Sequence, residues 1–470
     1  MADKAPKPKI DRKARVQKPP HHARIRPPRA RVRDFEEVVI PYTREEAMLE
    51  ASRCLQCAAA PCQAACPLDN DIPRALRLIE AGEIVPAAAV YRATSVMPEI
   101  CGRICPQTLC MEACTLHRMG KPIDTRRLEA FAADTQRETV RVPHPTLPAP
   151  TGKRVAVVGA GPAGLTVSEH LTRRGHTVVA YEKRPHPGGL LRYGIPRFKL
   201  NREVVAAKVT WLEQLGVKFR CNTTVGRDVT FDELREQYDA VFIGIGTPQD
   251  FSPGIEGEEL AGVYTATEFL VRGNEPDPDP SFKVGPRVHV LGGGDTAIDC
   301  LRTALRLPGV TDVTCYYRRS EAEMPAHEQD YHYALEEGAR FEWLACPTHF
   351  WGDDAGRLRA ATYQRMELCE PDESGRFWPV PIPEATFTVE VNTVVLALGY
   401  RGDAAFNRRA PELETKWHHL IKVDDEATGR TNLPGVFAAG DVVRGADLLA
   451  PTIATAAQVA GVMDAYLQKK

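Results

Sequence analysis

The chain has 470 residues, 43% of them hydrophobic, and a formal net charge of −2. That length exceeds one ordinary core and points to about three domains. No apolar run approaches the roughly 18 residues of a membrane span, and no apolar segment follows the N-terminal charges as a signal peptide requires.

Residues 1–33 form a basic, Pro-rich arm, with twelve Lys and Arg against Asp3 and Asp11. Such a segment cannot build a core alone, so it is expected to be disordered or extended, solvated or lying on a partner. Nothing downstream supports nucleic-acid binding. Residues 34–142 follow as a helical unit, with helices expected near 72–81 and 125–133. Eight of the thirteen cysteines fall here, spaced Cys54-x2-Cys57-x4-Cys62-x3-Cys66-Pro67 and Cys101-x3-Cys105-x4-Cys110-x3-Cys114. Four thiolates hold one iron–sulfur cluster, so eight suffice for two 4Fe–4S clusters. A secreted disulfide scaffold would be short and carry a signal, so reduced thiols in the cytoplasm are the expectation. Two zinc ions are the competing reading of the same thiols.

After a linker at Pro143, Pro145, Pro148 and Pro150, the pattern turns to strand–turn–helix. The strand Arg154 to Val158 runs into Gly159-Ala160-Gly161-Pro162-Ala163-Gly164, with a helix from Ala163 and a second strand ending at Tyr181-Glu182-Lys183. The glycines permit the tight turn, the approach of a pyrophosphate and close helix–strand packing. Glu182 can bond a free ribose 2′-OH, which points to FAD. A second unit begins at Val288 to Leu291 and turns through Gly292-Gly293-Gly294-Asp295-Thr296-Ala297. Its next strand ends in Arg318-Arg319, not in an acid, and guanidinium groups pair with a 2′-phosphate, which points to NADPH. With the late pair Gly440-Asp441, the expected fold is α/β. A helical N-terminal iron–sulfur domain precedes two Rossmann-like domains in a disulfide-reductase-like layout: 150–270 and 400–470 for FAD, 280–399 for NADPH. Cys221, Cys300, Cys315, Cys346 and Cys369 are scattered singly and read as small buried hydrophobes. Flavin electrons therefore have the cysteine-rich unit as their exit.

With these residues in view, the chain resembles the small (beta) subunit of NADPH-dependent glutamate synthase and its relatives. The resemblance covers residues 31–470. It rests on Arg53-Cys54-Leu55-Gln56-Cys57, Pro61-Cys62, Cys66-Pro67, Pro98 to Pro106, both glycine turns, Gly188 to Pro196, and Ala438 to Asp441. The same module occurs in the large subunits of NADH-dependent ferredoxin:NADP oxidoreductases and in the N-terminal part of dihydropyrimidine dehydrogenase. The resemblance implies NADPH oxidation and electron flow through FAD and two clusters to a large catalytic subunit, where glutamine and 2-oxoglutarate become glutamate. Ferredoxin or another redox complex, such as a 2-oxoacid oxidoreductase, is the alternative acceptor. With no glutaminase or FMN segment in its 470 residues, the chain is not expected to form glutamate alone.

Carried over by the resemblance, one cluster takes Cys54, Cys57, Cys62 and Cys114. The other takes Cys66, Cys105, Cys110 and Glu129, with Cys101 a bystander; spacing alone favours Cys101 as the thiolate ligand. FAD is assigned to Gly159, Gly161, Pro162, Ala163, Gly164, Glu182, Lys183, Gly189, Leu190, Gly440 and Asp441, and to the helix start at Thr452-Ile453. NADPH is assigned to Gly292, Gly294, Asp295, Thr296, Ala297, Arg318 and Arg319. Asp447 and Pro451 depart from the family pattern, and Pro is tolerated near a helix start.

Overall fold

The computed structural model describes residues 10–276, 279–371 and 375–470. Residues 1–9 of the arm lie outside that range, and the remainder corrects the expectation of a loose tail. Asp11 caps a short helix, Arg12–Gln17, by accepting the Ala14 amide at 3.1 Å, and Pro28–Arg31 forms a second. The basic side chains find partners on the body: Arg15 meets Glu80 at 2.7 Å, and buried Arg31 meets Glu337 at 2.7 Å. An arm with no core of its own is ordered here by carboxylates that lie far away in sequence.

The cysteine-rich unit is built from Arg44–Ala51, Ile72–Glu80, Ile84–Arg92, Pro98–Ile104 and Thr125–Thr139. Thr43 and Glu46 start the first of these with reciprocal side-chain–backbone bonds, a capping box. In Ile72–Glu80 the buried residues Ile72, Ala75, Leu76 and Ile79 recur at helical spacing, which puts one face into the core. The helix expected to end near 133 continues to Thr139.

Two parallel five-stranded sheets follow. The first has the order Val436–Ala438, Ala240–Ile243, Arg154–Val158, Thr177–Tyr181, Lys218–Arg220. Arg154–Val158 is central, and the chain leaves it first to one side and then to the other. That reversal opens a crevice at the strands' carboxyl ends, where nucleotides bind in such folds. The second sheet repeats the plan with Val263–Thr265, Thr393–Leu396, Arg287–Leu291, Asp312–Tyr317 and Arg340–Trp343. Because Val263–Thr265 pairs there, the second unit takes in residues ahead of 270, where the first was expected to end.

A three-stranded antiparallel sheet, Ala345–Gly352, Leu358–Pro371 and Phe377–Glu390, projects from the second unit. Nothing in the sequence reading anticipated it, because Pro379, Pro381 and Pro383 argue against a strand. Phe377–Glu390 is an edge strand of that sheet, where proline is tolerated. Met97, Ile100 and Cys101 share one core with Val155, Leu165 and Ile453, so the cysteine unit and the first nucleotide unit pack as one body. Among the described residues, no helix is long and apolar enough to cross a membrane.

Candidate functional site

The first glycine turn has no spare volume. A Cβ on Gly164 would lie 1.9 Å from the Gly159 carbonyl oxygen, and one on Gly159, at φ +93°, would lie 2.6 Å from that of Gly244. Gly161, by contrast, faces open space, with its nearest neighbour, Gly189 Cα, 3.8 Å from where a Cβ would stand. Pro162–Thr172 starts immediately after it, so unpaired amides face the crevice. The Glu182 carboxylate is buried and accepts the amides of Ala160 at 3.1 Å and Arg184 at 2.9 Å, which ties the turn to the end of the second strand. A cleft of about 380 Å³ is lined by Gly159, Gly161, Pro162, Ala163, Glu182, Lys183, Gly189, Leu190, Asp441 and Thr452. Leu190 is an exposed apolar side chain on its wall. A Cβ on Gly440, at φ +79°, would lie 3.1 Å from Ala163 Cβ. Ile453 points into the core instead. Burial raises the Asp441 carboxyl to about 7, while Thr452 donates to it at 3.3 Å. These dimensions and exposed amides fit a dinucleotide.

The second turn is built alike. A Cβ on Gly292, at φ +130°, would lie 2.1 Å from the Ala397 carbonyl oxygen, and one on Gly293 would enter the Tyr317 ring at 2.7 Å; Gly294 faces open space. Asp295 opens the helix Asp295–Ala304. Its carboxylate accepts His327 Nδ1 at 2.6 Å and the His327 amide at 2.9 Å. Burial pushes the Asp295 carboxyl up, and the His327 bonds more than offset that, leaving it below its usual range. The bond to Asp295 raises His327 in turn. Ala297 is buried against the sheet, while Thr296 lines the cleft and meets the Tyr400 hydroxyl at 3.4 Å. Arg318 and Arg319 do not act as a pair. Arg318 is exposed at the strand end. Arg319 is buried beside Trp378 and donates from Nε to the Phe377 carbonyl at 2.9 Å.

The cysteines surround two small cavities. Cys54, Cys57, Cys62 and Cys114 line one, of about 20 Å³, walled by Leu55, Leu76, Leu116 and Ile123. Cys66, Cys101, Cys105, Cys110 and Glu129 line the other, also of about 20 Å³. Residues from both cysteine runs meet at each cavity, and Cys101 stands beside Glu129 at the second. Among the described residues, no three His, Cys, Asp or Glu side chains converge tightly enough to share a single metal ion. Rings of four thiols with no such tight convergence fit a polynuclear cluster better than two zinc ions. Burial raises Cys54 to about 11, and Cys62 and Cys110 to about 12. Thr125 Oγ1 lies 2.9 Å from Cys110 Sγ, and Glu129 sits four residues on, on the same helix face. Asn70 Nδ2 donates to the Glu129 carboxylate at 3.3 Å. Burial holds Glu129 well above its usual range. The fully buried Cys101 thiol donates to Cys105, and that bond lowers Cys105.

Several contributors escaped the sequence reading. Lys199, from the first nucleotide unit, bridges Asp299 and Asp330 of the second, each at 3.0 Å. Burial raises Asp299 to about 6. Burial also acts to raise Asp330, but attraction to Lys199 and Arg302 holds it at about 2. Asp295 and Asp299, four apart on one helix, were the available signal for an acidic face; Lys199 offered none. Of the lone cysteines, Cys300 and Cys315 are buried as expected. Cys369 is exposed, because it lies on the projecting sheet, and its thiol reaches the Trp378 carbonyl at 3.4 Å.

Two glycine turns whose following helices open on one crevice, the first sharing a core with a thiol-lined helical unit, define a two-nucleotide oxidoreductase with an iron–sulfur domain. Residues 31–141 match the family model described as dihydropyrimidine dehydrogenase domain II, 4Fe-4S cluster, and residues 153–461 match that of pyridine nucleotide-disulphide oxidoreductases. The chain is 36% identical over 457 residues to the glutamate synthase [NADPH] small chain of Escherichia coli (strain K12), spanning 94% of this chain and 97% of that one. It is 39% identical over 453 residues to the putative oxidoreductase AegA of the same strain, spanning 93% and 68%. A solved structure of FprA from Mycobacterium tuberculosis in complex with NADPH shares the fold, with a TM-score of 0.56 at 21% identity over 67% of this chain and 85% of that one. The chain belongs to the pyridine nucleotide-disulphide oxidoreductase family, among the relatives of the glutamate synthase small chain, and is an NAD(P)H-dependent oxidoreductase.

Proposed function

We propose that this chain is the electron-input subunit of a redox complex. It oxidises NADPH and delivers the electrons, by way of FAD and two 4Fe–4S clusters, to a large catalytic subunit, which we assign to the glutamate synthase type. One observation carries the reading. The start of the C-terminal helix, Leu449–Lys469, stands between the two sites: Leu448, Leu449 and Thr452 line the flavin cleft, and Ala450 lines the second cysteine cavity. The Ala450 amide donates to Cys105. Ile104 lines the flavin cleft as well, and its neighbour Cys105 lines the cavity.

When bound, FAD supplies the change from hydride transfer to single electrons, and the clusters carry those electrons onward. The chain's residues hold and orient these groups. Gly159, Gly161 and the helix start at Pro162 receive a pyrophosphate, and Glu182 receives the ribose. Gly292, Gly294 and the helix start at Asp295 receive the second nucleotide, with Arg318 on the 2′-phosphate. Cys54, Cys57, Cys62 and Cys114 hold the outer cluster; Cys66, Cys105, Cys110 and Glu129 hold the inner. Cys101 serves as a thiol donor to Cys105 and not as a ligand. Pro451 falls in the helix's first turn, where its missing amide has no intrahelical partner to lose. A reducing cytoplasm suits exposed and half-exposed thiols.

Anaerobic addition of NADPH should bleach the flavin absorbance, and the purified protein should contain about eight irons per chain. An unbleached flavin sinks the reading. Similarity to chains named as beta subunits of an NADP(+)-dependent formate dehydrogenase and an NADPH-Fe(3+) oxidoreductase supports a second reading, with another redox complex or a ferredoxin as acceptor. Purification of the native assembly decides between them: a large subunit with FMN and an N-terminal nucleophile supports the first.

A further inference from the structure

The arm helix Arg12–Gln17 lies on the loop that joins Cys54 to Cys57. Arg15 Nη1 donates to the Cys54 carbonyl at 2.7 Å, and Arg12 donates to those of Leu55 and Gln56, each at 3.1 Å. Three successive carbonyls are thus held from outside by guanidinium groups. Lys18 Nζ reaches Ser52 Oγ at 2.7 Å, just ahead of the loop. Gln56 sits at φ +47°, a costly region for a non-glycine residue, and its carboxamide donates to Cys54 Sγ at 3.4 Å. Val16 packs into the core that contains Cys62 and Cys114. Glu80 is the carboxylate in this group, bound by Arg15 Nη2 at 2.7 and 2.9 Å.

We propose that the arm helix sets the reduction potential of the outer cluster through Arg12 and Arg15; this rests on the cluster reading above. Reduction adds one negative charge to the cluster. Cations held over the ligand loop stabilise that charge and raise the potential, and Arg15 is only 13% exposed, so water screens it little. Glu80 acts in the opposite sense and is partly neutralised by Arg15. The two are tuning residues, acting on the cluster through charge and through the loop's carbonyls.

The test is an EPR-monitored redox titration of the full-length, cofactor-loaded protein, with the inner cluster as internal reference. Arg15→Gln removes a cation and bares Glu80. The outer midpoint should fall by about 59 mV, a tenfold change in reduced fraction for a one-electron couple, with the inner midpoint unmoved. Glu80→Gln breaks the same contact yet should raise the outer midpoint. If both variants shift it in one direction, or neither shifts it while iron is retained, the arm is a tether and the proposal is overturned. Should Arg15→Gln lose outer iron, Arg12→Gln against Glu80→Gln gives the same opposed signs. Absence of two cluster signals in the unaltered protein would overturn the functional reading itself, and this inference with it.

Discussion

Gly161 and Gly164 lie three residues apart in one turn, yet substitution should separate them. Gly164→Ala drives a Cβ to 1.9 Å from backbone, so it should cost on the order of 1–3 kcal/mol of stability and lower the Tm. Gly161→Ala meets nothing closer than 3.8 Å and should leave the Tm of the flavin-free protein unchanged while reducing flavin retention, read from absorbance. Glu129 and Cys101 share a cavity, and iron content should tell them apart. Glu129→Ala should cut iron from about eight to about four per chain, and Cys101→Ala should keep both clusters. Retention of all iron in Glu129→Ala would refute the assignment. Spacing alone pointed to Cys101. The backbone places its thiol inside the core beside Ser95 Oγ, 3.7 Å away, and next to the Cys105 thiol.

At the scale of elements, the arm is anchored twice, on the cysteine unit by Arg15 and on the second nucleotide unit by Arg31. The latter joins Arg302 and Arg306 around Glu337, with all these side chains almost wholly buried. Burial pushes Glu337 up, but bonds from Arg302 and Arg306 outweigh it and hold the carboxyl at about 2, against an ordinary 4.5. The folded state therefore favours the ionised form. That contribution, about 3 kcal/mol, is complete above pH 4.5 and is lost as pH falls from there to about 2. Urea unfolding between pH 5 and pH 3 should show the decline, and Glu337→Gln should flatten it. The same variant at pH 7 removes the carboxylate that three buried arginines share and should cost roughly 3–5 kcal/mol.

Across the whole molecule, the nucleotide units face each other over one cleft, and Lys199 ties them through Asp299 and Asp330. Coenzyme choice belongs to this scale, because Arg318 and Arg319 are separated by what packs over them. The projecting sheet covers Arg319 with Phe377 and Trp378 and leaves Arg318 exposed. Arg318→Ala should raise the KM for NADPH on the order of tenfold, the loss of one charge-assisted pair, without changing that for NADH. Arg319→Ala should lower the Tm and affect both coenzymes alike. Equal KM effects of Arg318→Ala on the two coenzymes would remove it from the 2′-phosphate.

The glycine turns, the central strands and the two cysteine runs were legible in the sequence, because each is a local device whose spacing states its geometry. A Gly at a crowded turn or a thiol four residues from the next needs no distant partner to be recognised. The arm, the proline-bearing edge strand, the Lys199 bridge and the separation of Arg318 from Arg319 were not. Each depends on groups brought together from far along the chain: Arg31 on Glu337, Lys199 on Asp330, Arg319 on Phe377. The amino-acid sequence by itself determined that this protein holds two nucleotide cradles and a comb of thiols. Only the tertiary structure decided that the start of one helix joins the nucleotide cleft to the second cysteine cavity, and that a basic arm binds the loop from Cys54 to Gln56 beside the first. Long-range packing and charge pairing carry no signature in local spacing.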